Sequence, residues 1–212
     1  MKIRAKLWDG AIVTDAHQRR LRAQVRGVCS GATRPVSIPG VAQALHAWGE
    51  TAVEAVLRDL CSDGQLPGAV RGRDYVPHAF QVSQRRAVDT FFSSNGYMEH
   101  SRAARLRVRK PDAFVLASFP DAIVLGQAVV STAMLERLEG ELDQAAAQET
   151  WLDACGLLPE ALSGDDVSRL LGMCKPVLRP QGDPRRALHV AETYGVAAAY
   201  LEGVMGKFRE AS

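Results

Sequence analysis

A chain of 212 residues, 47% of them hydrophobic, is long enough for one large or two small domains and apolar enough to build real cores. Its apolar runs fall far short of the roughly 20 residues that span a bilayer, so no direct membrane insertion is expected. Met1 to Asp9 alternates charge with Ile3, Leu7 and Trp8 and lacks a secretory core, which points to a soluble, intracellular protein with a short N-terminal extension over 1–9.

After the Asp9-Gly10 turn and the apolar Ala11 to Val13, Thr14-Asp15 reads as a helix cap. Leu21, Val25, Val28 and Cys29 then fall at helical spacing up to Gly31, with arginines opposite. Val36 and Ile38 suit a short strand, and Val41 to His46 a short helix. Glu50 opens a clearer helix with Val53, Val56, Leu57 and Leu60 on one face, stopped by Asp63-Gly64. Leu66 to Val76, turning near Arg71-Gly72-Arg73, has the size of a hairpin. Three helices followed by a two-stranded wing is the order of a winged helix, placed at 10–78.

The second half repeats the plan without a residue-level repeat, as a second winged-helix-like domain over 79–175. Gln84 to Ser94 buries Val88, Phe91 and Phe92 and stops at Asn95-Gly96. Tyr97-Met98 follows as a strand, then helices at Ser101 to Leu106 and Pro111 to Ser118. Ile123 to Leu125 reads as one wing strand and Trp151 to Leu157 as the other, with the helix of Leu135, Leu138, Leu142 and Ala145 between them. Ser163 with Asp166 three residues on caps a helix whose face is Val167, Leu170, Leu171 and Cys174. Residues 176–212 read as a linker and a C-terminal helix from Pro184 to Phe208, weakened by Gly195, Gly203 and Gly206. The fold class expected is mainly α with small β wings (α+β): tandem winged-helix domains, then a C-terminal helix.

Cys29, Cys61, Cys155 and Cys174 stand far apart, with no CxxC pair and no histidine nearby, which fits ordinary buried or half-buried thiols. The five histidines are dispersed, and no phosphate loop, nucleophile elbow or HExxH motif is present. No catalytic, cofactor or metal residue is therefore assigned. Winged helices often bind DNA through the third helix, but Glu50 to Cys61 exposes Glu50, Glu54 and Asp59 against one Arg58, and acid there repels phosphate. Two basic features remain as phosphate or partner contacts: Arg71 with Arg73 on the wing, and Arg102, Arg105, Arg107, Arg109 and Lys110.

Several collinear stretches together resemble the ubiquitin-fold modifier (ufmylation) protein ligase family in its middle winged-helix region. They are Arg26 to Pro35, Val56 to Pro77, Phe91 to Glu99, Gly126-Gln127, Trp151 to Asp153, Leu157 to Pro159 and Leu162-Ser163. The resemblance runs from about Gly10 to Leu171. It implies a scaffold-type transferase without a catalytic cysteine, which brings a charged conjugating enzyme to a target lysine, for example on the large ribosomal subunit. It further implies a membrane-anchored ufmylation adaptor, a substrate-selecting adaptor and a place at the cytosolic face of the endoplasmic reticulum, with the nucleus as a second location. Members have upstream parts that recruit the conjugating enzyme and a long helical C-terminal region. The chain is thus expected to be a fragment or shortened relative, inactive alone. The competing readings are a nucleic-acid-binding winged-helix regulator and a winged-helix subunit of another large assembly.

Overall fold

The computed structural model describes residues 5–8, 11–47 and 49–210. It divides into two units, Met1–Arg86 and Ala87–Ser212. In the first, β1 (Ala5–Trp8) and β2 (Ala11–Thr14) pair antiparallel. The Asp9-Gly10 turn expected between them lies outside the described residues. Thr14 ends the strand and starts α1 (Asp15–Ser30), its hydroxyl accepting from the His17 amide at 3.3 Å. Leu21, Val25 and Cys29 bury one stripe of α1, whereas Val28, expected with them, is 44% exposed at the edge of a row that steps by four.

A short strand β3 (Val36–Ser37) leads into α2 (Ile38–Ala44), where Ser37 caps the helix through the Gly40 amide and Pro39 occupies the first turn. Then come α3 (Glu50–Ser62) and the hairpin β4 (Gly68–Arg71) and β5 (Asp74–Pro77), and the antiparallel sheet runs β3-β5-β4. The core is Val25, Val53, Leu57, Leu60, Leu66 and Tyr75 with their neighbours. Burial of each large apolar side chain among them contributes roughly 1.5–3 kcal/mol. Gly68 is required where the hairpin crosses Tyr75, because a Cβ there would stand 2.5 Å from its ring.

Next is α4 (His78–Asn95), which begins directly after β5, six residues before the start expected from the sequence, and crosses from the first unit into the second. The order then recurs: β6 (Tyr97–Glu99), α5 (His100–Arg105), α6 (Pro111–Leu116), β7 (Ile123–Val124) and β8 (Ala128–Val130), with the sheet β6-β8-β7. It recurs again in α7 (Thr132–Ala147), β9 (Trp151–Asp153), a 3-10 turn at Ala154–Gly156, α8 (Gly164–Met173), a short α9 (Lys175–Leu178), β10 (Ala187–Val190) and β11 (Tyr194–Ala197), with the sheet β9-β11-β10. The helix α10 (Ala198–Glu210) follows β11 as α4 follows β5.

Two expectations are corrected by this topology. The partner of the Ile123 strand is β8, not the Trp151 segment, so no helix interrupts that wing; Trp151 pairs with Val196 of β11 instead. The helix expected from Pro184 to Phe208 begins only at Ala198, and residues 187–197 form a hairpin in its place. The fold is mainly α with small antiparallel sheets. Among the described residues no helix is long and apolar enough to cross a membrane.

All three residues of β8 are buried. Val129 faces the cluster of Val88, Phe92, Met98 and Val115, while Ala128 and Val130 face that of Leu138, Leu142, Leu170 and Leu171. One strand thereby serves two cores on its alternate sides.

Candidate functional site

In the second unit the sequence folds a basic corner. The helix α5 is six residues long and ends at Arg105; its last carbonyls are taken up by Leu106, Arg107 and Val108, whose amides bond to Arg102, Ala104 and Ala103. Arg107 takes a left-handed φ of 60°. That turn sends Val108, 6% exposed, into the core and leaves Arg107, Arg109 and Lys110 outside. Pro111 then opens α6.

Two cations of the corner are already oriented. The Arg102 guanidinium lies 3.8 Å over the Phe91 ring, and Arg105 stands 3.9 Å from Glu99, a carboxylate that also accepts from Ser101. His100 Nε2 and Asp112 Oδ1 are 2.7 Å apart, a close polar contact at the edge of the corner. The corner thus offers five exposed cations from Arg102 to Lys110 with acids only at its edge.

Arg71 and Arg73 form a separate set, on the wing of the first unit. Arg71 donates to Gln81 Oε1 at 3.1 Å, and Arg73, beyond the left-handed Gly72, pairs with Glu50 of α3. Along α3, Glu54 is bound to Arg58. The outward side of that helix is acid and ion-paired, a poor surface for a phosphate backbone.

The thiols differ among themselves. Burial pushes Cys29 up to about 11, with Cys61 nearby adding to the shift, and burial beside Glu139 pushes Cys174 up to about 12. Cys61 is half-buried and also raised by burial. Cys155, expected among the buried or half-buried thiols, is exposed on the 3-10 turn. A neutral thiol is a weak nucleophile, so the raised values set Cys29 and Cys174 apart from reactive cysteines.

Ser168 Oγ and His189 Nε2 stand 3.3 Å apart, a pairing that the dispersed histidines did not foretell. The same Nε2 lies 2.9 Å from the Glu192 carbonyl, which only accepts, so that nitrogen carries the proton and has no lone pair to activate the serine. Among the described residues no three His, Cys, Asp or Glu side chains gather as a metal site needs. Asp166, which the sequence offered only as a capping partner, is the one buried charged residue among the described residues and holds the Gly126-Gln127 backbone.

Comparison with known proteins gives a consistent relationship. The family model of E3 UFM1-protein ligase 1 matches residues 1–115. The mouse E3 UFM1-protein ligase 1 is 31% identical over 210 residues, covering 95% of this chain and 26% of the relative. A homolog in rice is 26% identical over 221 residues, covering 98% and 27%, and one in Arabidopsis thaliana 25% identical over 215 residues, covering 95% and 27%. The chain spans about a quarter of the length of these relatives. With the family model matched over more than half of its length, and plant and animal relatives aligned over nearly all of it, the chain belongs to the E3 UFM1-protein ligase 1 family.

Proposed function

We propose that the chain is a scaffold segment of a UFM1 ligase: a row of winged-helix modules that promotes transfer of the modifier from its conjugating enzyme to target lysines by positioning the partners. The family match carries this reading. The repeated order of helix, strand, two helices and hairpin, with each sheet running first, third, second strand, supports the winged-helix assignment. Under this reading the first module takes residues 10–78, the second 79–175, and a linker with a C-terminal helix 176–212; the hairpin of β10 and β11 and the helix α10 fall in that last stretch.

Holding a charged enzyme and a lysine together converts a bimolecular step into an effectively unimolecular one, and it asks of the scaffold stiffness, not a nucleophile. The strand β8, shared by two cores, is such a stiff joint. The partners under this reading are the conjugating enzyme, a membrane-anchored adaptor, a substrate-selecting adaptor and the large ribosomal subunit, met at the cytosolic face of the endoplasmic reticulum. Arg102, Arg105, Arg107, Arg109 and Lys110 contact ribosomal RNA phosphates without reading bases, and Arg71 and Arg73 serve as a second set of contacts. A groove-reading DNA regulator is less well supported, because α3 presents Glu50, Glu54 and Asp59.

The test is reconstituted transfer with charged conjugating enzyme, both adaptors and ribosomes, comparing the full-length ligase that carries this segment with the same ligase lacking it. Modification of ribosomes is expected to be lost on deletion while conjugating-enzyme binding is kept, and to persist in a Cys61→Ser, Cys155→Ser double variant of the full-length ligase. Unchanged transfer after the deletion, or loss of transfer in the double variant, overturns the scaffold reading.

A further inference from the structure

A cleft of about 210 Å3 opens in the second unit where the end of α4, the start of α7 and the segment after the 3-10 turn meet. Leu138 and Leu158, 1% and 8% exposed, make its floor, and the half-buried Met134 and Leu157 its walls. At the mouth, Gly96 has φ 75°, and a Cβ there would stand 3.0 Å from Ser131 Oγ and 3.5 Å from Met134 Cε; glycine keeps the entrance clear. Sites that enclose a drug-sized molecule measure roughly 300–1,000 Å3, whereas an apolar cavity of roughly 150 Å3 accepts benzene. The cleft is thus sized for one large side chain, and a methionine wall adapts to several shapes.

Arg137 is the ionisable side chain among the residues lining the cleft. It is exposed and stands outside the described ion pairs. Its neighbours Glu136 and Glu139 do not line the cleft, and Glu139 is bound to Lys175 at 3.1 Å. An apolar recess with one unpaired guanidinium at its rim presents an anchor pocket and a carboxylate fork side by side.

We propose that this cleft docks an acidic linear segment of a partner protein: a Leu, Met or Phe side chain enters between Met134 and Leu157, and an adjacent Asp or Glu pairs with Arg137. A buried apolar anchor beside an arginine is the composition of an interface hot spot.

The test uses the whole chain and fluorescein-labelled hexapeptides carrying Leu, Met or Phe flanked by Asp and Glu, with Lys-flanked peptides as the comparison. Binding is read by polarisation and by the methyl carbon spectrum of 13C-methionine protein. The expected result is saturable binding of acidic peptides that moves the Met134 methyl signal. Arg137→Glu is expected to weaken it at least tenfold and to shift preference toward Lys-flanked peptides, and Ala133→Phe, which plugs the cleft from its exposed side, to abolish it. Circular dichroism verifies that both variants are folded. Absence of saturable binding across the acidic set, equal binding of Lys-flanked peptides, or unchanged affinity in folded Arg137→Glu overturns the proposal.

Discussion

Asp166 is 2% exposed, and a carboxylate so placed is costly unless its oxygens are satisfied. Oδ1 accepts from the Gly126 amide at 2.7 Å and Oδ2 from the Gln127 amide at 3.1 Å, 40 and 39 positions back along the chain. The first turn of α8 adds the favourable end of a helix dipole. A Cβ on Gly126 would stand 3.2 Å from Oδ1, so glycine lets the backbone come close. The Gly126-Gln127 pair therefore has a mechanical role, tying the β7-β8 turn to α8. Asp166→Ala removes the acceptor from two partly buried amides and is expected to cost about 1–3 kcal/mol. Asp166→Asn, keeping one acceptor, should cost less. Urea midpoints read both, and coincidence of the Ala variant with the wild type would show that the staple does not stabilise the fold.

The hairpin of β10 and β11 can be probed through the sign of one substitution. Had residues 184–208 been helical, Gly195→Ala would stabilise by about 1 kcal/mol. In the hairpin, a Cβ at 195 would collide with Leu142 Cδ2, on a fully buried side chain of α7, and overpacking of that kind costs roughly 1–3 kcal/mol. A lowered melting temperature is expected; a raised one would restore the helix. The hairpin was hidden from the sequence for identifiable reasons. Its reversal uses Ala191 and Glu192 at φ 46° and 62°, positions where Asn or Gly usually announce a turn. Val196, Tyr200 and Val204 keep helical spacing across the junction of β11 and α10, so the period runs on through a change of structure. Likewise β8 is buried on both faces and shows no alternation, leaving Ala128-Val129-Val130 as a bare apolar triplet. By contrast α3 and α8 were legible because each joins an apolar stripe to a clear start or stop, and α7 through its apolar stripe alone. The basic corner was legible as a run of arginines, but the Glu50–Arg73 pair, the Phe91 platform under Arg102 and the Arg137 cleft join residues far apart in sequence and come only from the fold.

At the scale of the second unit, the shared β8 and the Asp166 staple join two repeats through buried apolar contact and through hydrogen bonds. Repeats tied in this way gain stability from their neighbour and lose it together. A jointed string of independent modules would let two docking points wander, whereas a cooperative block keeps their separation fixed, as the proposed positioning role requires. Hydrogen exchange on the whole chain distinguishes the two. Leu142 of α7 is fully buried in the third repeat, and Leu142→Ala is expected to cost roughly 2–5 kcal/mol. At tenfold in exchange for each ~1.4 kcal/mol, that loss should make globally protected amides exchange at least about thirtyfold faster. In a cooperative block the acceleration at Val115 of α6 equals that at Leu170 of α8, although Leu142 clusters with Leu170 and Val115 belongs to the other core. Acceleration confined to Leu170 and its neighbours would mean that the repeats open one at a time, and the stiffness assigned to the joint would have to come from a bound partner.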